Sequence, residues 1–140
     1  MFSNYAQFPG ALVGGGTTLT AGTETGYMET VPVAAALNVT PQGRVIRGYI
    51  CATGGATAGA WSIKCRQGAG VAGTQVGNSQ PVNVAVSSSV MVPFSFVDTS
   101  SPAPGSNVYT ITVTAAGSNG IAVDGSVELY VPDPGGALGE

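Results

Sequence analysis

The amino-acid sequence predicts an all-β protein built as a sandwich of two packed antiparallel sheets. Apolar and polar residues alternate along much of the chain, which is the period of a strand with one buried face. Clusters of Gly, Pro, Asn and Ser separate the alternating runs, and no segment has the spacing of an amphipathic helix. Short strands joined by polar turns are typical of sandwiches and barrels.

The alternation is clearest in the second half of the chain. Apolar residues occupy every second position in 82–86, 90–96, 109–113 and 127–131. Applied to the whole sequence, the same criteria predict eight strands, at about 16–22, 27–34, 44–53, 58–66, 81–87, 89–98, 107–115 and 121–131. Eight antiparallel strands in two packed sheets favour a jelly-roll β-sandwich.

The chain has the length of one domain, because 140 residues can bury a core without disulfides or metals. We predict an extended N-terminal arm at 1–16, the jelly-roll domain at 17–131 and a C-terminal tail at 132–140. The tail begins where a Pro- and Gly-rich run ends the last strand.

The predicted arm carries aromatic residues at a spacing of three, which are Phe2, Tyr5 and Phe8. A glycine-rich tether follows them. Such an arm can lie in a groove of a neighbouring subunit, with the aromatic side chains as anchors. The alternative is that Phe2 and Phe8 cover the open end of the protein's own sandwich.

The chain carries few charges, and its basic residues are clustered. Charged residues make up 8% of the sequence, against about 25% in an average soluble protein, and all four basic residues lie between positions 44 and 66. Surfaces with so few charges associate readily, so we expect an oligomer or a larger assembly. The formal net charge of −3 argues against general nucleic-acid binding.

The basic stretch is predicted to be one β-hairpin. The glycine-rich segment 54–57 marks its turn and sets an approximate register in which Ile50 faces Trp61. Cys51 then lies on the outer face and Cys65 on the inner face, too far apart for a disulfide, so both thiols are expected to be free. The inner face supplies five predicted core residues: Ile46, Ile50, Trp61, Ile63 and Cys65.

The outer face of this hairpin is predicted to be electropositive. Arg47 lies across from Lys64, with Arg66 beside them and Tyr49 nearby. Like charges directly opposed on a sheet repel by about 0.2–1 kcal/mol, so something is expected to compensate them. One interpretation is an acidic partner surface that meets this face, and the other is a solvated face with screened repulsion.

Residues suited to catalysis or cofactor binding are scarce. The chain has no histidine, which excludes a Ser-His-Asp or Cys-His arrangement, and its carboxylates are scattered singly. Gly68, Gly70 and Gly73 spell G-x-G-x-x-G, but no helix follows, so we predict a long loop that crosses between sheets. Trp61 lies on the same face of its strand as Ile63, which favours a core tryptophan over a sugar-stacking platform. We expect no enzyme activity, no cofactor, no metal, no small-molecule substrate and no membrane span.

Three segments carry a resemblance to a known class of proteins: 66–77 (RQGAGVAGTQVG), 17–24 (TTLTAGTE) and 96–99 (FVDT) before the strand 109–113. This pattern resembles that of small jelly-roll structural proteins of tailed phages and related viruses. The resemblance implies a capsid decoration, or cement, subunit on the outer surface of the virion. It further implies a homotrimer whose partner is the major capsid protein, and the class has no catalytic signature to carry over.

The residues themselves favour the same passive binding role. Two alternatives stay open, a minor capsid protein and a receptor- or carbohydrate-binding head whose site is formed by the loops 68–80 and 100–107. The predicted partner-binding residues are Phe2, Tyr5, Phe8, Arg47, Tyr49, Lys64 and Arg66.

Overall fold

The chain folds into a sandwich of two antiparallel β-sheets. A computed structural model describes residues 5–12, 18–30, 44–99 and 108–132, the first of these ranges by its backbone alone, and none of these residues is helical. The strands in this part of the chain are β1 (Tyr5–Leu12), β2 (Thr18–Leu19), β3 (Glu24–Thr30), β4 (Arg44–Thr53), β5 (Gly59–Gln67), β6 (Gln75–Val84), β7 (Ser89–Asp98), β8 (Tyr109–Thr114) and β9 (Gly120–Pro132).

Sheet A contains β9, β4 and β7 in that order, and sheet B contains β6, β5, β8 and β3. Three antiparallel pairs are nested in the sequence, because β3 pairs with β8, β4 with β7, and β5 with β6. The chain from β3 to β8 is therefore one long hairpin that is rolled up into two layers. This is the jelly-roll arrangement predicted from the sequence, with β9 added to sheet A beside β4.

The two long sides of the sandwich differ. On one side β1 joins the sheets, since Tyr5–Pro9 pair with β9 and Gly10–Leu12 pair with β3. On the other side lie β6 and β7, each paired along only one edge within the described residues. Each of these edge strands contains a proline, Pro81 or Pro93, and Gln80 Nε2 donates a 2.8 Å hydrogen bond to the Pro93 carbonyl. Because proline removes a backbone donor, both edges are poor templates for another strand.

The core lies between the two sheets, as the alternation predicted. The bounds of β4 match the predicted strand, and its inward residues pack against those of β5 and β8. All five core residues predicted on β4 and β5, Trp61 included, are at most 2% exposed. Cys51 is half-buried and Cys65 is buried, and both are free thiols, as expected.

The strand list departs from the prediction at two places. Residues 5–12 of the predicted arm form β1 and pair within the sandwich, while the predicted boundaries of arm, domain and tail remain predictions. Strand β6 begins at Gln75, well before the predicted start at about 81. The reason is that β6 is an edge strand with most of its first half exposed, so its sequence lacks apolar alternation.

The predicted hairpin between β4 and β5 is wrong. The two strands lie in opposite sheets, so the segment between them crosses the sandwich. A tight two-residue hairpin turn needs positive φ angles, and neither Gly54 nor Gly55 has one. Gly55 is instead required by close packing, because a Cβ there would lie 2.0 Å from the Asn119 carbonyl oxygen.

The prediction that the loop after β5 crosses between the sheets is also wrong, because this segment joins two strands of the same sheet. The segment 68–74 joins β5 to β6, which are neighbours in sheet B. Gly68 and Gly70 have φ angles of 84° and 78°, a left-handed backbone that suits a turn. The G-x-G-x-x-G segment is thus the hairpin turn of this region.

Candidate interaction surface

The outer face of sheet A is formed by the outward residues of β9, β4 and β7, and we call it the A face. Cross-strand pairing arranges these residues in rows. The rows are Tyr130–Val45–Val97, Glu128–Arg47–Ser95, Ser126–Tyr49–Pro93, Asp124–Cys51–Met91 and Ile121–Thr53–Ser89.

Large apolar side chains are exposed on the A face. Met91 is 70% exposed, and Val97 and Ile121 are each about half exposed. Val123 is also half exposed, in the irregularity of β9 beside Ile121. These residues are four of the six large exposed apolar side chains in the described part of the chain, so exposed apolar surface is concentrated on one face.

A buried tyrosine supports the irregular pairing under this end of the face. The register of β4 and β9 shifts between Cys51 and Ala52. The Tyr27 hydroxyl contacts the carbonyls of Cys51 and Asp124 and accepts the Cys51 N–H at 3.2 Å. Burial raises the pKa of Tyr27 to about 12, so the hydroxyl stays protonated as the donor that this position needs.

Opposite charges stand side by side in one row of the A face. The Arg47 guanidinium lies 4.3 Å from the centre of the Tyr130 ring and donates a 3.0 Å hydrogen bond to its hydroxyl. That hydroxyl in turn donates to Glu128 Oε2 at 2.5 Å. A second acid, Asp124, accepts the Gly125 N–H at 2.8 Å. The face therefore pairs its one cation with an acid of its own.

The outer face of sheet B, here called the B face, carries a compact ion pair. Arg66 donates from Nε to Glu24 Oε1 at 2.8 Å and from Nη2 to Oε2 at 2.7 Å. Thr112 Oγ1 donates to Glu24 at 2.6 Å, and Lys64 Nζ lies 3.9 Å from the same carboxylate. The hydrogen bonds from Arg66 outweigh desolvation and, with Thr112 and Lys64, lower the pKa of Glu24 to about 2.

The turn 68–74 folds back over part of the B face. Thr110 Oγ1 donates to the Gly68 carbonyl at 2.8 Å and accepts the Gly70 N–H at 3.0 Å. Arg66 Nη1 donates to the Gly73 carbonyl at 3.3 Å. As a result Thr110, although it points outward from the sheet, is fully buried.

The predicted electropositive face does not exist. Arg47 lies on the A face, whereas Lys64 and Arg66 lie on the B face, on opposite sides of the sandwich. The repulsion expected between opposed cations is absent because β4 and β5 do not pair. Glu24 forms a bidentate pair with Arg66 and lies 3.9 Å from Lys64, so this single carboxylate neutralises one of the two positive charges.

The fourth basic residue of the stretch, Arg44, is buried between the sheets at 1% exposure. Its Nη1 donates to the Tyr109 hydroxyl at 2.6 Å, and that hydroxyl donates to Asp98 Oδ2 at 2.6 Å. Gln67 Nε2 donates to the same carboxylate oxygen at 2.8 Å. Burial, together with the neighbouring Asp98 carboxylate, raises the pKa of Tyr109 far above its usual range. This buried network links β4, β7 and β8 and is structural.

The structure distributes the predicted partner-binding residues over several places. Tyr49 and Arg47 share the A face, and Phe2 lies outside the described residues. Tyr5 and Phe8 belong to β1, where they pair in register with Pro132 and Leu129 of β9.

Sequence reasoning missed the exposed residues of β7, among them Met91 and Val97. The sequence holds a signal for them, because every residue of 90–97 except Ser95 is apolar, on both faces of the strand. Only Phe94 and Phe96 of this segment are fully buried. A strand that is apolar on both faces indicates that its outer face also makes contacts.

The described part of the chain has little that could form another kind of site. It holds no group of three or more His, Cys, Asp or Glu placed to bind a metal ion. It also holds no helix long and apolar enough to cross a membrane. A shallow groove of about 470 Å³ at one end of the sandwich is lined by Ala58, Gly59, Ala60, Asn83, Val84 and Ala85, which offer little chemistry.

Comparisons with known proteins give structural similarity without a match to a family. The chain matches no protein-family model and no curated protein. Among solved structures it is similar to a chain in the structure of infectious bursal disease virus, Gx strain, with 13% identity and a TM-score of 0.44. The similarity covers 98% of this chain and 32% of that chain, so this protein spans about a third of the length of its neighbour.

Proposed function

We propose that this chain is a structural protein of a virion, a capsid decoration or cement subunit that binds the outer capsid surface as an oligomer. In that role it stabilises contacts between major capsid proteins. The observation that carries the proposal is the A face, which exposes Met91, Val97 and Ile121 around a row of self-paired charges. The jelly-roll sandwich and the sequence resemblance to small virion proteins support the same role.

The energetics of such a face suit repeated weak contacts. Burying apolar surface contributes about 25 cal/mol per Å², so covering one half-exposed Val or Ile contributes roughly 1 kcal/mol. Several copies on one capsid add such contacts without any single strong site, because binding of linked copies is multivalent. A passive subunit of this kind needs contact area rather than a reactive group.

The self-neutralised charges change the expected chemistry of the contact. Because Arg47 lies on the opposite face from Lys64 and Arg66, and Glu24 neutralises Arg66, a grip on an acidic capsid surface through one basic face loses its basis. Binding through an apolar face predicts weak dependence on ionic strength, since screening acts on exposed charges. The partner surface for the A face is therefore an uncharged, apolar area of the capsid or of another subunit.

The test adds the purified chain back to virions that lack it. Full-length protein is expected to co-sediment with these capsids at both low and high salt and to raise the temperature at which they release their genome. Met91→Glu is expected to bind less, whereas Val86→Glu, which changes an exposed valine outside the A face, is the matched control. Capsids that neither bind the chain nor gain stability would overturn the proposal, and retention on a glycan surface instead would favour a receptor-binding head.

A further inference from the structure

We infer that the A face associates with the same face of a second copy of this chain, giving a two-fold symmetric dimer. The inference concerns the isolated protein and does not depend on the proposed virion role. Both use the A face, so a copy that binds a capsid through this face is not paired with a second copy. It follows from three observations: which surfaces are closed, how charge is arranged on the A face, and how much area that face offers.

The described sandwich offers few other surfaces for self-association. On one side β1 bridges the two sheets, which removes a free edge. On the other side Pro81 and Pro93 interrupt the edge strands, and Gln80 bonds to the outward carbonyl of Pro93. The turn 68–74 covers part of the B face and is pinned there by Thr110 and Arg66. The A face remains as a broad, open surface.

The charge pattern of the A face is complementary to itself. Arg47 and Glu128 are direct cross-strand partners on β4 and β9. A two-fold axis that runs along the strands between β4 and β9 places Arg47 of one copy opposite Glu128 of the other, twice. The same rotation places Tyr49 of one copy opposite Ser126 of the other, and Val45 opposite Tyr130. No like charges face each other in these rows. A strongly acidic or basic partner finds no such match.

The apolar residues and the size of the face also suit this contact. Ile121, Val123 and Met91 lose exposure when a second sheet packs over them. The three strands of the A face, about 4.8 Å apart and about 30 Å long, present roughly 430 Å² in projection, to which protruding side chains add. Standard interfaces take about 800 Å² of accessible surface from each partner, so the A face fits a small interface that dissociates at low concentration. Packing of two sheets with aligned strands is a common arrangement in β proteins.

The test exchanges the two charges of the central row one at a time. In Arg47→Glu, positions 47 and 128 both carry Glu. In Glu128→Arg, both positions carry Arg. Each variant alone is expected to lose dimerisation by about tenfold or more, because like charges then face each other twice. An equimolar mixture of the two variants is expected to restore a dimer that contains one copy of each, as measured by sedimentation velocity.

The outcomes separate this inference from the proposed function. A wild-type monomer at high micromolar concentration would overturn the inference, as would a trimer or a dimer that neither variant weakens. Loss of dimerisation without restoration in the mixture would also overturn it, because the charges would then act within each copy. Far-ultraviolet circular dichroism of each variant checks that the fold is retained. These sedimentation experiments do not include capsids, so their outcome is the same whether or not the proposed virion function is correct.

Discussion

Arg66 and Glu24 form a bidentate ion pair across the outer face of sheet B, with nitrogen–oxygen distances of 2.8 and 2.7 Å. Arg66 lies on β5 and Glu24 on β3, with β8 between them. The pair neutralises Arg66, one of the three basic residues that the sequence assigns to an electropositive face. What the molecule presents outward is mainly uncharged surface.

This ion pair makes stability depend on acid pH. Since the folded-state pKa of Glu24, about 2, lies below its ordinary value of 4.5, its contribution is complete above about pH 4.5. That contribution is lost as the pH falls towards 2. Glu24→Gln is expected to lower the free energy of unfolding by about 1 kcal/mol at pH 7, the size of a well-formed surface pair, and by little near pH 2.

Urea denaturation of both proteins between pH 7 and pH 2 measures this difference. Lys64→Met is the comparison, because its 3.9 Å contact with Glu24 contributes less than the two Arg66 hydrogen bonds. A difference between wild type and Glu24→Gln that stays constant over the whole range would contradict the assignment.

The two arginines of β4 are expected to differ strongly in importance. Arg44→Met removes the buried hydrogen bond from the guanidinium to the Tyr109 hydroxyl, which itself donates to the buried Asp98 carboxylate, and this loss costs about 1.5–3 kcal/mol. Arg47→Met removes an exposed contact to Tyr130 and costs about 1 kcal/mol or less. Thermal denaturation of the two variants compares them directly, and equal losses would argue against the buried network.

Glycine substitutions test where the chain turns. Gly55→Ala is expected to destabilise by several kcal/mol, because the added Cβ would lie 2.0 Å from the Asn119 carbonyl oxygen. In Gly68→Ala the added Cβ has no atom within 4 Å. The only destabilisation comes from an alanine in a left-handed backbone conformation, which is about 1–2 kcal/mol. If β4 and β5 formed a tight hairpin, the two substitutions would cost about the same, so chemical denaturation of both decides between the topologies.

The two thiols are expected to react at very different rates. Cys51 is half-buried on the A face, whereas Cys65 is buried in the core, where burial, with a smaller effect of Asp98, raises its pKa far above the usual range. Ellman's reagent should therefore modify Cys51 quickly in the native protein at concentrations too low for A-face association, and Cys65 only on unfolding. Cys51→Ser removes the fast phase, and a fast phase that survives in this variant would show that Cys65 is accessible.

The sequence predicted the layers of this fold better than its connections. Strict alternation identified the core face of each strand, because in any pairing Ile46 and Ile50 point to one side of β4, and Trp61 and Ile63 point to one side of β5. Alternation does not determine which strands pair with each other. Partner choice depended instead on φ at Gly68 and on packing at Gly55, which no local pattern reveals.

The candidate surface was harder to predict for the same reason. The assignment of Arg47 to an outward face was right, but the face it shares depends on its pairing with Ser95 and Glu128 rather than with Lys64. The exposed apolar residues come from β7 and β9, which are distant in sequence and meet only through β4. Long-range pairing of this kind is set by the whole fold.

The most direct test of the account is the mass of the full-length protein in solution, measured by light scattering over a range of micromolar concentrations. The full chain is the right sample, because truncation of residues 1–16 would remove β1 from both sheets. We predict a dimer for the wild type, a monomer with an unchanged far-ultraviolet circular dichroism spectrum for Met91→Glu, and a dimer for the control Val86→Glu. A monomeric wild type, or an assembly that Met91→Glu leaves intact, would contradict the inference that the A face pairs with the A face of a second copy.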